Sequence, residues 1–109
     1  MKLVAKVDLT ELKAKGQLRV HYPPYDVLVV WTENRAFAME DACNHAGASL
    51  SEGLVEDCTI MCPMHGYVFD LGTGELLRPK GLCSDQRVFE ARVAANMVEV
   101  YDTFSLTIV

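Results

Sequence analysis

Cys43 and His45 enclose one residue, Cys62 and His65 enclose two, and sixteen residues separate His45 from Cys62. Two thiolates and two imidazoles form a complete coordination set for a soft or borderline metal. Tetrahedral zinc can use that set, but the familiar finger places its cysteines on one arm and its histidines on the other. Here each arm is mixed. Mixed arms suit a binuclear iron centre in which each loop gives a thiolate to one iron and an imidazole to its neighbour. The spacing favours iron–sulfur and leaves zinc open. Cys58 and Cys83 stand outside the pattern and read as packing cysteines, which are often buried.

Loops that present such ligands need a scaffold, and the chain supplies one of strands. Period-two alternation and turn residues dominate, with no sustained apolar i, i+3, i+4 pattern. "QLRVHY" and "VLVVWT" flank the proline turn at Pro23 and Pro24, and "TENRA" leads into the strand "AFAMED". "YVFDL" and "ELLRP" flank the glycine turn "GTGE", and "VFEARVAANMVEVY" reads as a terminal hairpin turning at "AAN". In it Phe89, Ala91 and Val93 share an inner face opposite Glu90 and Arg92, with Val98 and Val100 facing inward from the return strand. Only "TELKAKG" could be helical, for one turn at most. Trp31, Phe37, Phe69, Phe89 and Phe104 are expected in the core or at its rim, and His21 at the surface. The expected fold is all-β: antiparallel sheets in a sandwich or small barrel, with the Cys/His hairpin loops projecting from one end.

At 109 residues this is a single domain, 1–109, long enough to bury a core without staples. "MKLVAKVDLT" is interrupted by Lys6 and Asp8, and "VLVVW" is too short to cross a bilayer, so a cytoplasmic protein without a membrane anchor is expected. In that reducing compartment cysteines point to metal or redox chemistry before disulfides. Residues 36–77 contain seven acids and no Lys or Arg, within a chain of net charge −5. Nucleic acid is a poor partner for such a surface. The acids form either a solvated face or a docking face.

The residues around the two pairs resemble the Rieske iron–sulfur family. "CNHAGASLSEG" is similar to its first cluster loop, "CPMHGYVFDLGTGE" to its second loop and following hairpin, and "RPKG" to its proline-containing third loop. The resemblance is tight over about residues 36–81, the cluster-binding part. It implies one [2Fe-2S] cluster, with Cys43 and Cys62 on one iron and His45 and His65 on the other. Gly47, Gly53 and Gly66 would admit backbone N–H groups toward the sulfides, or serve as plain turn glycines. Two thiolates and two neutral imidazoles leave an oxidised pair of ferric ions and two sulfides neutral, whereas four thiolates leave it doubly negative. Reduction is easier from neutrality, hence the Rieske range of about −150 to +300 mV. The high-potential branch carries a second cysteine in each loop, joined as a disulfide, and a serine after the second His-Gly. Ala48, Met64 and Tyr67 occupy those positions here, which places this chain at the low end of the range.

Within the family, the resemblance is to soluble ferredoxins that take one electron from a flavin reductase and pass it to the terminal oxygenase of a ring-hydroxylating, dioxygenase-type system for aromatic hydrocarbons. The chain is then an electron carrier and not itself an enzyme, working as a monomer that docks partners at the cluster tip. Two alternatives differ in class: the small subunit of an assimilatory nitrite reductase, and a zinc-stabilised binding module.

Overall fold

The computed structural model describes residues 2–22, 26–41, 50, 53–62, 66–78 and 87–102. Ten strands and one helix follow in order: β1 (Lys2–Asp8), α1 (Leu9–Lys15), β2 (Gln17–Val20), β3 (Val27–Thr32), β4 (Arg35–Glu40), β5 (Leu54–Glu56), β6 (Thr59–Met61), β7 (Val68–Asp70), β8 (Leu76–Arg78), β9 (Val88–Ala94) and β10 (Met97–Asp102). They form a six-stranded antiparallel sheet in the order β1-β10-β9-β4-β3-β2 and a four-stranded one in the order β5-β6-β7-β8. The all-β expectation holds. The small sheet is an insertion between β4 and β9, which are themselves paired through Ala38↔Phe89 and Met39↔Val88. Among the described residues no helix is long and apolar enough to cross a membrane.

β3 explains how the two sheets meet. Its run Val27–Val30 is at most 1% exposed at every position, so both faces are covered. Leu28 and Val30 join Phe37 and Met39 against Leu50, Ile60, Cys62, Tyr67, Phe69, Leu71 and Leu76 of the insertion. Val27 and Val29 face the other way, onto Leu9, Leu12, Ala38, Phe89, Val98 and Val100. A continuous apolar run is what a strand buried on both sides requires. The β3–β4 connection is a two-residue turn in which Glu33 and Asn34 both have positive φ, at 54° and 57°, the geometry that matches the twist of a hairpin.

Two expectations are corrected. The helix runs seven residues, nearly two turns. Asp8 caps it by accepting from the Thr10 N–H at 3.1 Å, Gly16 stops it with φ 84°, and Leu9 and Leu12 give it an apolar side to bury. The Asn96 side-chain amide donates to Asp8 Oδ1 at 3.0 Å, and the Asn96 backbone carbonyl accepts from the Leu9 N–H, latching the helix to the β9–β10 turn. Val93, expected to face inward, is 50% exposed. β4 flanks β9 only at Phe89 and Val88, so Val93 has no strand on that side to cover it. Phe37, Phe69 and Phe89 are buried, Trp31 is half-buried, and Phe104 lies outside the described residues. β1 and the β5–β6 hairpin were not anticipated.

Phe69 is fully buried at the centre of the cluster joining the sheets. Phe69→Ala should therefore cost about 3–5 kcal/mol. A urea denaturation midpoint little changed from the parent protein would show that the insertion does not rely on this contact.

Candidate metal centre

Of the four ligands expected from the sequence, Cys62 is among the described residues, while Cys43, His45 and His65 lie outside them, as do Cys83, Gly47, Ala48 and Met64. The ends of their loops are well defined. The second loop leaves β6 at Cys62, whose N–H donates to the Tyr67 carbonyl at 2.7 Å. The Gly66 N–H donates back to the Cys62 carbonyl at 3.1 Å, with Gly66 at φ 72°. A left-handed residue is needed to fold the chain back so tightly, and glycine adopts it without steric cost. Six residues are thereby closed on themselves, from Cys62 at one end to Gly66 and Tyr67 at the other. The Cys62 thiol is free and only 1% exposed, and it packs in the cluster shared with Leu50, Tyr67 and Phe69. A buried free thiol held at the base of a tight loop fits a thiolate ligand to iron. Cys58 is also free, half-buried against the same cluster, in keeping with packing.

The first loop is closed at its stem, where the Leu50 N–H donates to the Asp41 carbonyl at 2.6 Å. Leu50 is fully buried beside Cys62, and its own carbonyl accepts from the Gly53 N–H at 2.9 Å. Gly53 then passes so close to the Met61 carbonyl that a Cβ would fall far inside contact distance. That approach joins the end of the first loop to the strand leading into the second. The third loop begins after Arg78 and ends at Arg87, whose carbonyl accepts from the Glu40 N–H at 2.9 Å. Three loops therefore spring from adjacent, hydrogen-bonded stems.

Two arginine–carboxylate contacts brace those stems. Arg19 Nε lies 2.6 Å from Asp26 Oδ2 and 3.2 Å from Asp41 Oδ2. His21 Nδ1 is 3.0 Å from Asp26 Oδ1, and the Asp41 N–H donates to the Asp26 carbonyl at 2.8 Å. Hydrogen bonds from Arg19 and then from His21 hold the Asp26 carboxyl below the usual range. At the other stem Asp102, 2% exposed, accepts from Arg87 Nη2 at 2.7 Å and from the Tyr22 hydroxyl at 2.8 Å. The hydrogen bond to Asp102 raises the Tyr22 phenol. Burial raises Glu40, opposed by the nearby charge of Arg87.

These contacts revise the charge map. The seven acids of residues 36–77 do not form one surface: Asp41 is buried against Arg19, and Asp70 accepts from the Gly72 and Thr73 N–H groups inside its turn. Glu56, Asp57 and Glu75 are exposed, and Glu52 lies outside the described residues. His21 is at the surface as expected, with its side chain 83% exposed. Arg19 and Asp26 were not singled out from the sequence, since nothing marks residues 22 and 15 positions before Asp41 as its neighbours in space. Tyr67, where the high-potential branch carries serine, is buried in the core.

A small all-β scaffold with three loop stems, one of them beginning at a buried free cysteine, is what these residues build. The chain belongs to the Rieske [2Fe-2S] domain family, whose signature matches residues 2–87, and it accordingly carries one [2Fe-2S] cluster. It is 41% identical over 68 residues to a 3-phenylpropionate/cinnamic acid dioxygenase ferredoxin subunit of Photorhabdus laumondii, covering 62% of this chain and 64% of that one. It is 42% identical over 66 residues to an anthranilate 1,2-dioxygenase ferredoxin subunit of Burkholderia cepacia, covering 59% and 58%. The match thus spans about six tenths of each relative's length. Among solved structures, it superimposes with a TM-score of 0.79 and 29% identity, over 91% of this chain and 92% of the other, on a complex of reduced oxygenase and oxidised ferredoxin in carbazole 1,9a-dioxygenase.

Gly53→Ala should push the first loop away from Met61 and speed loss of bound iron to a chelator several-fold. Bleaching of visible absorbance at the wild-type rate would mean the approach is not needed. Because the folded pKa of Asp26 is lowered, its contribution to stability is complete above its unfolded value, about 3.9, and is lost as pH falls through the lower folded value. Asp26→Asn should accordingly flatten the acid limb of a melting-temperature profile, while an unchanged limb would assign the acid sensitivity to other carboxyls.

Proposed function

We propose that the chain is a one-electron carrier whose cluster is held by Cys43 and Cys62 through sulfur and by His45 and His65 through ring nitrogen. The observation that carries the reading is the buried free thiol of Cys62, held where the loop bearing His65 closes and packed beside Leu50, the foot of the loop bearing Cys43 and His45. When bound, the cluster accepts and releases one electron. The chain's own residues clamp the three loops, keep water from the Cys62 sulfur, and leave the imidazole ligands as the route to a partner. The acceptor is the terminal oxygenase of a ring-hydroxylating system, in keeping with relatives named as dioxygenase ferredoxin subunits, and the donor is a flavin reductase, as the family resemblance implies. The chain works as a monomeric cytoplasmic domain, with residues 36–81 as its cluster-binding part. Ala48, Met64 and Tyr67 in place of two cysteines and a serine support a potential at the low end of the Rieske range.

The reading is tested by reconstitution. With a flavin reductase, a ring-hydroxylating oxygenase and NADH, substrate-dependent turnover should require this protein; an oxygenase reduced equally fast in its absence would overturn it. His45→Ala or His65→Ala should abolish or destabilise the cluster, whereas Cys58→Ala should keep the full visible and electron paramagnetic resonance spectra. A colourless purified protein would favour zinc.

Glu56 and Asp57 are exposed, and together with Glu52, which the sequence sets in the same acidic segment, they are proposed to steer a basic partner. Redox encounters bury less than about 1,200 Å², so association rate dominates their traffic. With a screening length of about 8 Å at ~0.15 M salt, added salt should slow electron transfer without changing the spectrum. Neutralising Glu52, Glu56 and Asp57 together should slow transfer at low salt and remove much of that dependence. Rates equal to wild type at every ionic strength would make these acids a solvated face.

A further inference from the structure

Asp41 presents an electrostatic problem. Its side chain is 4% exposed, it stands two residues before Cys43, and its carbonyl closes the stem of the first loop. An uncompensated carboxylate in that position would destabilise the stem and oppose the arrival of an electron nearby. Arg19 meets both difficulties from outside the cluster-binding segment. Its guanidinium Nε sits between Asp26 and Asp41, at 2.6 and 3.2 Å, while the rest of its side chain remains about half exposed. Asp26 is anchored in turn, through its carbonyl to the Asp41 N–H at 2.8 Å and through its carboxylate to His21. The edge strand β2, the start of β3 and the stem of the first loop are thus joined by one cation.

We propose that Arg19 is a positioning residue for the cluster: by bridging Asp26 and Asp41 it fixes the stem of the Cys43/His45 loop and offsets the buried charge there, so that it governs both how firmly the cluster is retained and how readily it is reduced. The inference rests on the reading that Cys43 and His45 are ligands. Its central residue, Arg19, lies more than twenty positions before them in the chain, and the inference separates charge from packing. Removing the cation leaves the locality one charge more negative, whereas removing the Asp26 carboxylate leaves it one charge less negative. Both changes break the same bridge.

Arg19→Gln, Arg19→Lys and Asp26→Asn are compared with wild type by redox titration, by the rate of bleaching under a chelator, and by urea denaturation as a check on folding. Arg19→Gln should bleach several-fold faster. At fixed solution potential its oxidised-to-reduced ratio should rise by on the order of tenfold, equivalent to about 59 mV for a one-electron couple. Asp26→Asn should shift that ratio in the opposite direction, and Arg19→Lys should return it toward wild type. A merely structural role would move the Arg19→Gln and Asp26→Asn potentials in the same direction, or leave both unmoved while lowering stability; either result overturns the proposal. Should Arg19→Gln fail to fold, the opposite-sign requirement on Asp26→Asn and the near-wild-type potential of Arg19→Lys decide it. A wild-type protein that binds no iron–sulfur cluster would instead overturn the functional reading itself, a result distinguishable from any of these.

Discussion

The structure depends on β3 being buried on both faces. The stretch covered on both sides has no room for a polar side chain, so all four residues from Val27 to Val30 are aliphatic and their backbone groups are satisfied by the ladders to β2 and β4. One strand then serves two cores. Leu28 and Val30 are part of the floor on which the cluster-bearing insertion sits, while Val27 and Val29 close the interior of the large sheet around Leu12, Val98 and Val100. Polar contacts to the insertion are possible only where the strand ends. At one end the Thr32 hydroxyl donates to the Asp57 carbonyl at 2.7 Å and ties down the β5–β6 hairpin. At the other, Asp26 precedes the strand and reaches the stem of the first loop.

Buried charge is handled in the same way at two stems. Asp41 and Asp102 are both nearly inaccessible, each meets an arginine, and each arginine comes from a neighbouring segment. Burying an ion pair costs desolvation, and breaking it by removing one partner costs more, so such pairs are better understood as fixing an arrangement than as adding stability. Here the first pair fixes the stem of the first loop to β2 and the second fixes the stem of the third to β10, while the Glu40 N–H to Arg87 carbonyl hydrogen bond joins the two stems.

Much of this was legible in the sequence, for local reasons. The hairpins at "TENRA", "GTGE" and "AAN" were readable because turn residues and alternation act over a few positions, and the register pairs Thr32↔Arg35, Phe69↔Leu76 and Ala94↔Met97 bear them out. The cysteine–histidine spacing is equally local and identified the family. What escaped depends on distant partners. The second helical turn needed the core to receive Leu12, the exposure of Val93 depends on where β4 stops, and β1 finds its place only beside β10. The stem network was invisible for the same reason: Arg19, Asp26 and Asp41 are unremarkable polar residues until β2 and β3 bring them together.

The formal charge of residues 36–77 illustrates how folding divides a property that the sequence presents as one. Asp41 and Asp70 are committed locally, to an arginine and to turn N–H groups. Glu56, Asp57 and Glu75 face solvent, where their field extends outward and is cut off within about a Debye length. The first group lies at a loop stem and a turn, the second on the surface. On the reading proposed above, a stem charge bears on the energy of the bound electron and a surface charge on how often a partner arrives, so the two properties would answer to different residues and respond differently to salt.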